Sequence, residues 1–372
     1  MTDHKMKVRQ IVHPWCSPLM ITLFVCIGLV LFTLIKVDGD ILQFVVIGTR
    51  FSEGDPNGSE GYDGQFGYYI ALKPAPQDVA RHLDVPAYRY QRIVLPMLAR
   101  IFSLGNPDWI AWWLVILPLL GQVLGVSFVS KMITDLDQSP WLALIYGLNA
   151  GCLLSIRTAL PEPLAYGFVA AALYAYFHRS YWVGALMLWL AYMTKEVSLL
   201  FGMAVLVWLI SERQWKGVST WFFISFLPWI IWQGWLWRTF GQMGIGSGGA
   251  GATGFEWIPF MGLLRIATYS WQYFLAMLIV FSPYVVVPSI WGAWASLQKL
   301  LLGERNLTTI ALFFHCLMMF SLPFSTYRET GGILRLSVGF VLAFLLFVVQ
   351  QNKTKILRYL PFWWVYNVFL LR

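Results

Sequence analysis

Charge is what this sequence has least of. Asp, Glu, Lys and Arg make up 12% of its 372 residues, where a soluble domain carries about a quarter. A water-soluble globular enzyme is thereby excluded. Cysteine is scarce too: Cys16, Cys26, Cys152 and Cys316 lie in or beside apolar segments with no paired spacing. That excludes a disulfide framework and a cysteine zinc site. The five histidines, His4, His13, His82, His178 and His315, are scattered, which argues against a histidine metal cluster. A disordered chain would need low hydrophobicity, and 58% of this one is hydrophobic.

Aromatic residues are abundant, with 20 Trp, 17 Tyr and 27 Phe. Trp and Tyr collect where a bilayer meets water, and a crossing helix needs about 20 mostly apolar residues. The expected class is therefore all-α, a polytopic membrane protein forming a single integral domain over 1–372. Candidate spans fall near 17–36, 109–130, 140–156, 163–178, 181–194, 197–210, 218–238, 270–297, 308–324, 333–350 and 356–371. That gives about 10–11 transmembrane helices. The first follows a basic start at Lys5, Lys7 and Arg9 and lacks a small-residue cleavage site before Asp38, so it reads as a retained anchor. No repeat period is visible, which gives an inverted-repeat transporter no support.

With the N-terminus inside, the cytoplasmic segments carry twelve basic residues against five acidic ones, most of the net charge of +8. Counted as Lys and Arg alone, the bias toward the inside is weak. The N-terminus is still expected inside, because the outer basic residues sit mostly in one long, mixed-charge loop, and no nucleic-acid partner is implied. The outer side is organised by one long loop, 37–108. It is acidic at first (Asp38, Asp40, Glu53, Asp55, Glu60, Asp63) and then basic and amphipathic. Over Tyr88–Phe102 apolar residues recur at 93, 97 and 101 and at 94, 98 and 102, with Arg89 and Arg92 together on another face. This spacing predicts a short helix lying in the membrane interface, with a bend at Pro96. A second outer loop, within 240–262, reads GQMGIGSGGAGATG over Gly241–Gly254. Its GxGxxG at Gly246, Gly248 and Gly251 has no preceding strand and no closing Lys-Ser/Thr, so a nucleotide fingerprint is not supported. A flexible lid or a plain linker is expected.

Ionisable groups at a membrane edge are costly and so are candidates for function. They fall on the outer side: Asp55 and Asp63, Arg89 and Arg92, Arg157 and Glu162, Lys195 and Glu196, then Arg328, Glu329 and Arg335. Each has a simpler explanation. Glu162, between Pro161 and Pro163, and Glu196 could serve as helix-start charges. Arg89 and Arg92 could pin an interfacial helix to lipid headgroups. Arg328, Glu329 and Arg335 could pair with one another. Asp63 stands out because Tyr62-Asp63-Gly64-Gln65-Phe66 sets it between aromatics ahead of an apolar run. The chemistry that fits is charge-complementary: a carboxylate can deprotonate an acceptor hydroxyl, while Arg or Lys holds a departing phosphate. A substrate linked to a lipid phosphate would present its phosphate at this edge. No nucleotide site or metal cage is visible; a divalent ion bridged by Asp55 and Asp63 is left open.

These residues resemble a family. The long first outer loop with its acid looks like that of the GT-C class of membrane glycosyltransferases, and three stretches resemble the second GPI mannosyltransferase and its bacterial relatives. They are Tyr62–Ala71 (YDGQFGYYIA), Asn149-Ala150 with Glu162-Pro163-Leu164, and Leu190–Glu196 (LAYMTKE). The family's Asn-Pro is Asn-Ala here, and its Arg is Lys195. The resemblance implies an inverting transfer of a sugar from a polyprenyl-phosphate donor to a glycan, lipid or protein acceptor. In that reading Asp63 is the general base, with Asp55 its rival, and Glu162 and Lys195 line the donor site. Arg89, Arg92, Arg157, Glu196, Arg328, Glu329 and Arg335 complete the expected substrate-binding set, with no cofactor required. The expected location is the inner membrane of a bacterial cell, with the site on the periplasmic side. The alternatives from other classes are a lipid-linked substrate transporter or flippase, and a polymer ligase.

Overall fold

The computed structural model describes residues 17–371; the basic start at Lys5, Lys7 and Arg9, with Cys16, lies outside them. The fold is all-helical, 76% helix, with no strand among the described residues. Pro18–Lys36, Pro107–Asp135 and the run Trp271–Leu301 are each long and apolar enough to cross a membrane. The bent pair Thr330–Leu336 and Val338–Gln350, with 44° between its halves, makes a fourth candidate. At about 1.5 Å per residue, the 29 residues of Pro107–Asp135 exceed the roughly 30 Å of a bilayer's hydrocarbon core. Large apolar side chains point outward from these helices, among them Phe24, Leu31, Ile35, Ile279, Ile290 and Trp294. Water would disfavour so wide an apolar surface, whereas lipid would not.

The other expected spans are shorter or interrupted. Tyr181–Thr194 and Leu307–Phe320 have 14 residues each, and the apolar run 140–156 is cut at Gly147 and restarted at Ala150. Asn149 makes the restart, because its Oδ1 accepts from the Gly151 and Cys152 N–H groups at 2.9 and 3.2 Å, as an N-cap does. The last expected span, 356–371, is a short helix Thr354–Tyr359 running into the 3₁₀ stretch Leu360–Leu371. Leu360, Trp363 and Tyr366 are buried along it, the three-residue period of that helix type. Pro228 and Pro283 fall within or beside the π-helical stretches Trp221–Phe226 and Ser282–Val286, where a missing N–H disturbs the α-helical ladder.

Val338–Gln350 lies at the centre, with nearly every side chain buried. Close crossings depend on glycine. A Cβ on Gly167 would collide with the Gly121 carbonyl, so Pro107–Asp135 and Glu162–Phe177 pack backbone to backbone. A Cβ on Gly151 would likewise strike the Leu334 carbonyl, and that contact seats the helix bearing Arg335.

The long loop is folded. It contains Gly64–Leu72, Pro86–Tyr90 and Val94–Phe102, besides shorter turns. Phe44, Val45, Phe66, Ile70, Val79 and Leu83 bury into a second core with the first helix and the start of Pro107–Asp135. Gln65 clips its first part together, accepting from the Gly48 N–H at 3.1 Å and donating to the Glu60 carbonyl at 2.6 Å. The single helix expected over 88–102 is instead two, broken at Gln91–Ile93. Proline explains the break: Pro96 has no N–H for the Arg92 carbonyl and fits only in the first turn of a new helix. Leu95, Pro96 and Ala99 face the protein, while Ile101 and Phe102 stay exposed.

Candidate functional site

Asp63 precedes the first residue of Gly64–Leu72, at the position of an N-cap, yet its carboxylate makes no capping bond among the described residues. Both oxygens turn to arginines. Arg89 Nη1 lies 2.9 Å from Oδ1 and Arg335 Nη2 donates to Oδ2 at 2.8 Å. The other two donor groups of Arg335 are occupied as well: Nε donates to Glu162 Oε1 at 3.1 Å, and Nη1 to the Tyr62 hydroxyl at 2.7 Å. Lys195 Nζ donates to the same Glu162 oxygen at 2.9 Å, and the Ser155 hydroxyl donates to Oε2 at 3.2 Å. Glu162 begins its helix as expected, but its side chain is fully buried and paired, so the helix end alone does not account for it.

Arg92 grips Glu196 with both prongs, Nε to Oε2 at 2.8 Å and Nη2 to Oε1 at 2.6 Å. Its guanidinium also lies over the Tyr88 ring, 4.2 Å from the centroid. Arg89 makes a second two-pronged pair with Asp84, 2.7 Å on each side, and stacks over Phe66 at 4.1 Å. Such forked pairs fix both distance and plane. Asp63, Asp84, Glu162 and Glu196 thus face Arg89, Arg92, Lys195 and Arg335, and formal charge cancels across the network. Buried charges persist only when paired in this way.

Burial alone would raise the Asp63 carboxyl, but Arg89 and Arg335 outweigh it and hold Asp63 far below the usual carboxylate range. Asp84 is lowered for the same reason: burial opposes ionisation, while Arg89 and the N–H groups of Ala250 and Val85 favour it.

The network lines a cavity of about 210 Å³. Asp63, Arg89, Arg92, Lys195, Glu196, Arg328, Glu329 and Arg335 all border it, and Glu162 stands directly behind. Residues from the first loop, the 195–196 turn and the 328–335 segment therefore share one chamber. Beneath Asp63, Arg89 and Arg92 lies a smaller apolar cleft walled by Phe66, Ile70, Leu95, Pro96 and Leu160.

Three sequence expectations are corrected. Asp55 lies away from the cavity, where its carboxylate accepts from the Asn57 N–H at 2.9 Å in an exposed turn; Asp-Pro-Asn-Gly is a turn sequence, and the acid serves the turn. Arg157 points elsewhere and donates to the Leu370 carbonyl. Arg335 does not pair with Arg328 and Glu329. Those two meet each other at the exposed rim, 3.7 Å apart, while Arg335 turns inward to Asp63 and Glu162.

The Gly-rich loop is more than a linker. Gly249–Ala252 form one wall of the cavity, the Ala250 N–H donates to Asp84 Oδ2 at 2.8 Å, and the Thr253 N–H donates to Ser325 Oγ at 3.1 Å. Asp84 is the residue that sequence reasoning missed. It belongs to no motif, and only its five-residue offset from Arg89 could have pointed to it. Among the described residues, no group of three or more His, Cys, Asp or Glu side chains is placed to hold a metal ion.

Against known proteins, no family model, no curated protein and no solved structure matches this chain.

Proposed function

We propose that this chain is a polytopic membrane protein of the GT-C type, an inverting glycosyltransferase that uses a polyprenyl-phosphate sugar. The observation that carries the proposal is the meeting of Asp63 with Arg89, Arg92, Lys195 and Arg335 around one cavity. That cavity adjoins an apolar cleft sharing Asp63, Arg89 and Arg92. A substrate with a charged phosphate and an apolar tail has complementary surfaces in this arrangement.

In the reaction, Asp63 takes the proton from an acceptor hydroxyl as that oxygen attacks the sugar's anomeric carbon from the face opposite the phosphate. The bond between the anomeric carbon and the phosphate oxygen breaks, and its electron pair leaves with the phosphate. The cationic side chains stabilise the charge that develops there. The proton leaves Asp63 for water after the product departs. Arg328 and Glu329, at the rim, meet the entering substrate first. The site faces the periplasmic side of a bacterial inner membrane, with the acceptor a glycan, lipid or protein hydroxyl.

A donor screen on the purified protein tests this. Defined polyprenyl-phosphate sugars, with mannose among them, should release the lipid phosphate and give an inverted glycoside. Binding of such donors without turnover would instead point to a transporter or flippase. Turnover of pyrophosphate-linked donors alone would point to a polymer ligase.

A further inference from the structure

Asp63 is held in a way that conflicts with its work. A proton acceptor needs a free oxygen, and here each oxygen is claimed by a guanidinium. Three further charged neighbours reinforce the arrangement. Arg92 stands beside it across the cavity, and Glu162 and Asp84 hold the far sides of Arg335 and Arg89.

The three acids that share those two arginines are not equally fixed. Glu162 is fully buried and takes bonds from Lys195, Arg335 and Ser155. Asp84 is 5% exposed and takes bonds from two nitrogens of Arg89 and from the Val85 and Ala250 N–H groups. Asp63 is 28% exposed, open to the cavity. The hydrogen bonds and ion pairs of its carboxylate among the described residues are those to the two arginines. It is the partner an incoming anion can replace.

We propose that Arg89 and Arg335 form an anion seat that the ligand-free chain fills with its own Asp63, and that a phosphate entering from the cavity takes the seat and frees Asp63. The role of the freed acid as base rests on the transferase reading; the seat does not.

Charge balance favours the exchange. The network is neutral with Asp63 ionised and in place. A phosphate on Arg89 and Arg335 adds one negative charge, and a proton on Asp63 restores neutrality. In the transferase that proton comes from the acceptor hydroxyl, while the leaving phosphate takes the electron pair of the broken sugar bond and gains a second negative charge. The site thus keeps a single negative charge through the step, and the base becomes competent only when the donor is bound. Without donor, Asp63 stays ionised, paired and weakly basic, and water in the chamber is not activated. Removing one cationic neighbour typically raises a carboxyl by about 1–3 pH units.

Infrared difference spectra of the full chain in nanodiscs would test this, with Asp63 assigned by Asp63→Asn. The Asp63 carboxylate band is followed as pH falls, first alone, then with a short-chain isoprenyl phosphate, then with inorganic phosphate. Alone, the band should persist to strongly acidic pH. With a saturating phosphate, its protonation midpoint should rise by at least about one pH unit. A rise with inorganic phosphate too marks a seat for phosphate itself, whereas a rise confined to the isoprenyl compound marks a lipid headgroup seat.

Arg89→Gln provides an independent check: its midpoint should start higher and respond less. No binding of either phosphate, or binding with an unmoved midpoint, overturns the proposal. A moved midpoint without sugar transfer would retain the seat and discard the transferase; transfer with an unmoved midpoint would do the reverse.

Discussion

Arg335 joins two acids that are far apart in the chain: its Nη2 donates to Asp63 at 2.8 Å and its Nε to Glu162 at 3.1 Å. A planar fork with separated donors can do this, and the compact ammonium of lysine cannot. Arg335→Lys should therefore keep one contact and lose the other. The lost charged hydrogen bond is worth about 1.5–3 kcal/mol. Arg335→Leu leaves both acids short of a partner and should cost about 3–5 kcal/mol. Thermal unfolding in detergent, with a double-mutant cycle against Glu162→Gln, measures both. A coupling energy near zero would show that the contact contributes nothing.

Acidification should destabilise the protein through the aspartates of the loop. Asp63 and Asp84 are both lowered in the folded chain, so between the folded and the ordinary aspartate value of about 3.9 the unfolded chain binds more protons. Their contribution is complete above that ordinary value and disappears as pH falls through the folded one. The melting temperature should accordingly drop below about pH 4, and Asp84→Asn should flatten the drop. A wild-type melting temperature that does not change through this window would contradict the arrangement.

The glycine-rich wall is held to Asp84 by the Ala250 N–H at 2.8 Å. Ala250→Pro removes that donor and should loosen the loop, seen as several-fold faster proteolytic nicking within 241–254. Binding of a lipid-phosphate sugar should weaken alongside. Equal nicking of variant and wild type would mean that the bond does not hold the wall.

Orientation can be read with glycosylation. Asn57, Asn306 and Asn352 each begin an Asn-x-Ser/Thr sequon. Expressed in a eukaryotic host, the chain should be modified at Asn57, in the loop that carries Asp63, and not at the other two. Modification at Asn306 or Asn352 would reverse the sidedness.

The helical class and the chemical gathering were legible because both depend on scarcity: in so apolar a chain, a charge at a helix end has to find a partner. Glu162, Lys195 and Glu196 could be singled out on that ground alone; at the site Lys195 and Arg335 pair with Glu162, and Arg92 pairs with Glu196. The pairing was not legible. Arg335 sits close to Arg328 and Glu329 in sequence, yet on a helix packed closely against Gly151 its side chain turns inward to Asp63 and Glu162. Asp55 and Asp63 look alike in a string of loop acids, and what separates them is a local turn that uses Asp55 itself. Helix bounds were not legible where capping residues such as Asn149 interrupt an apolar run without changing its composition.

Sugar transfer by Asp63→Asn, set beside Asp55→Asn, tests the account most directly. With a polyprenyl-phosphate sugar as donor, Asp63→Asn should fall by about 10²–10⁴-fold, the usual share of a general base. Asp55→Asn, altered only in an exposed turn, should stay within a few-fold of wild type. Transfer that survives Asp63→Asn would contradict the account.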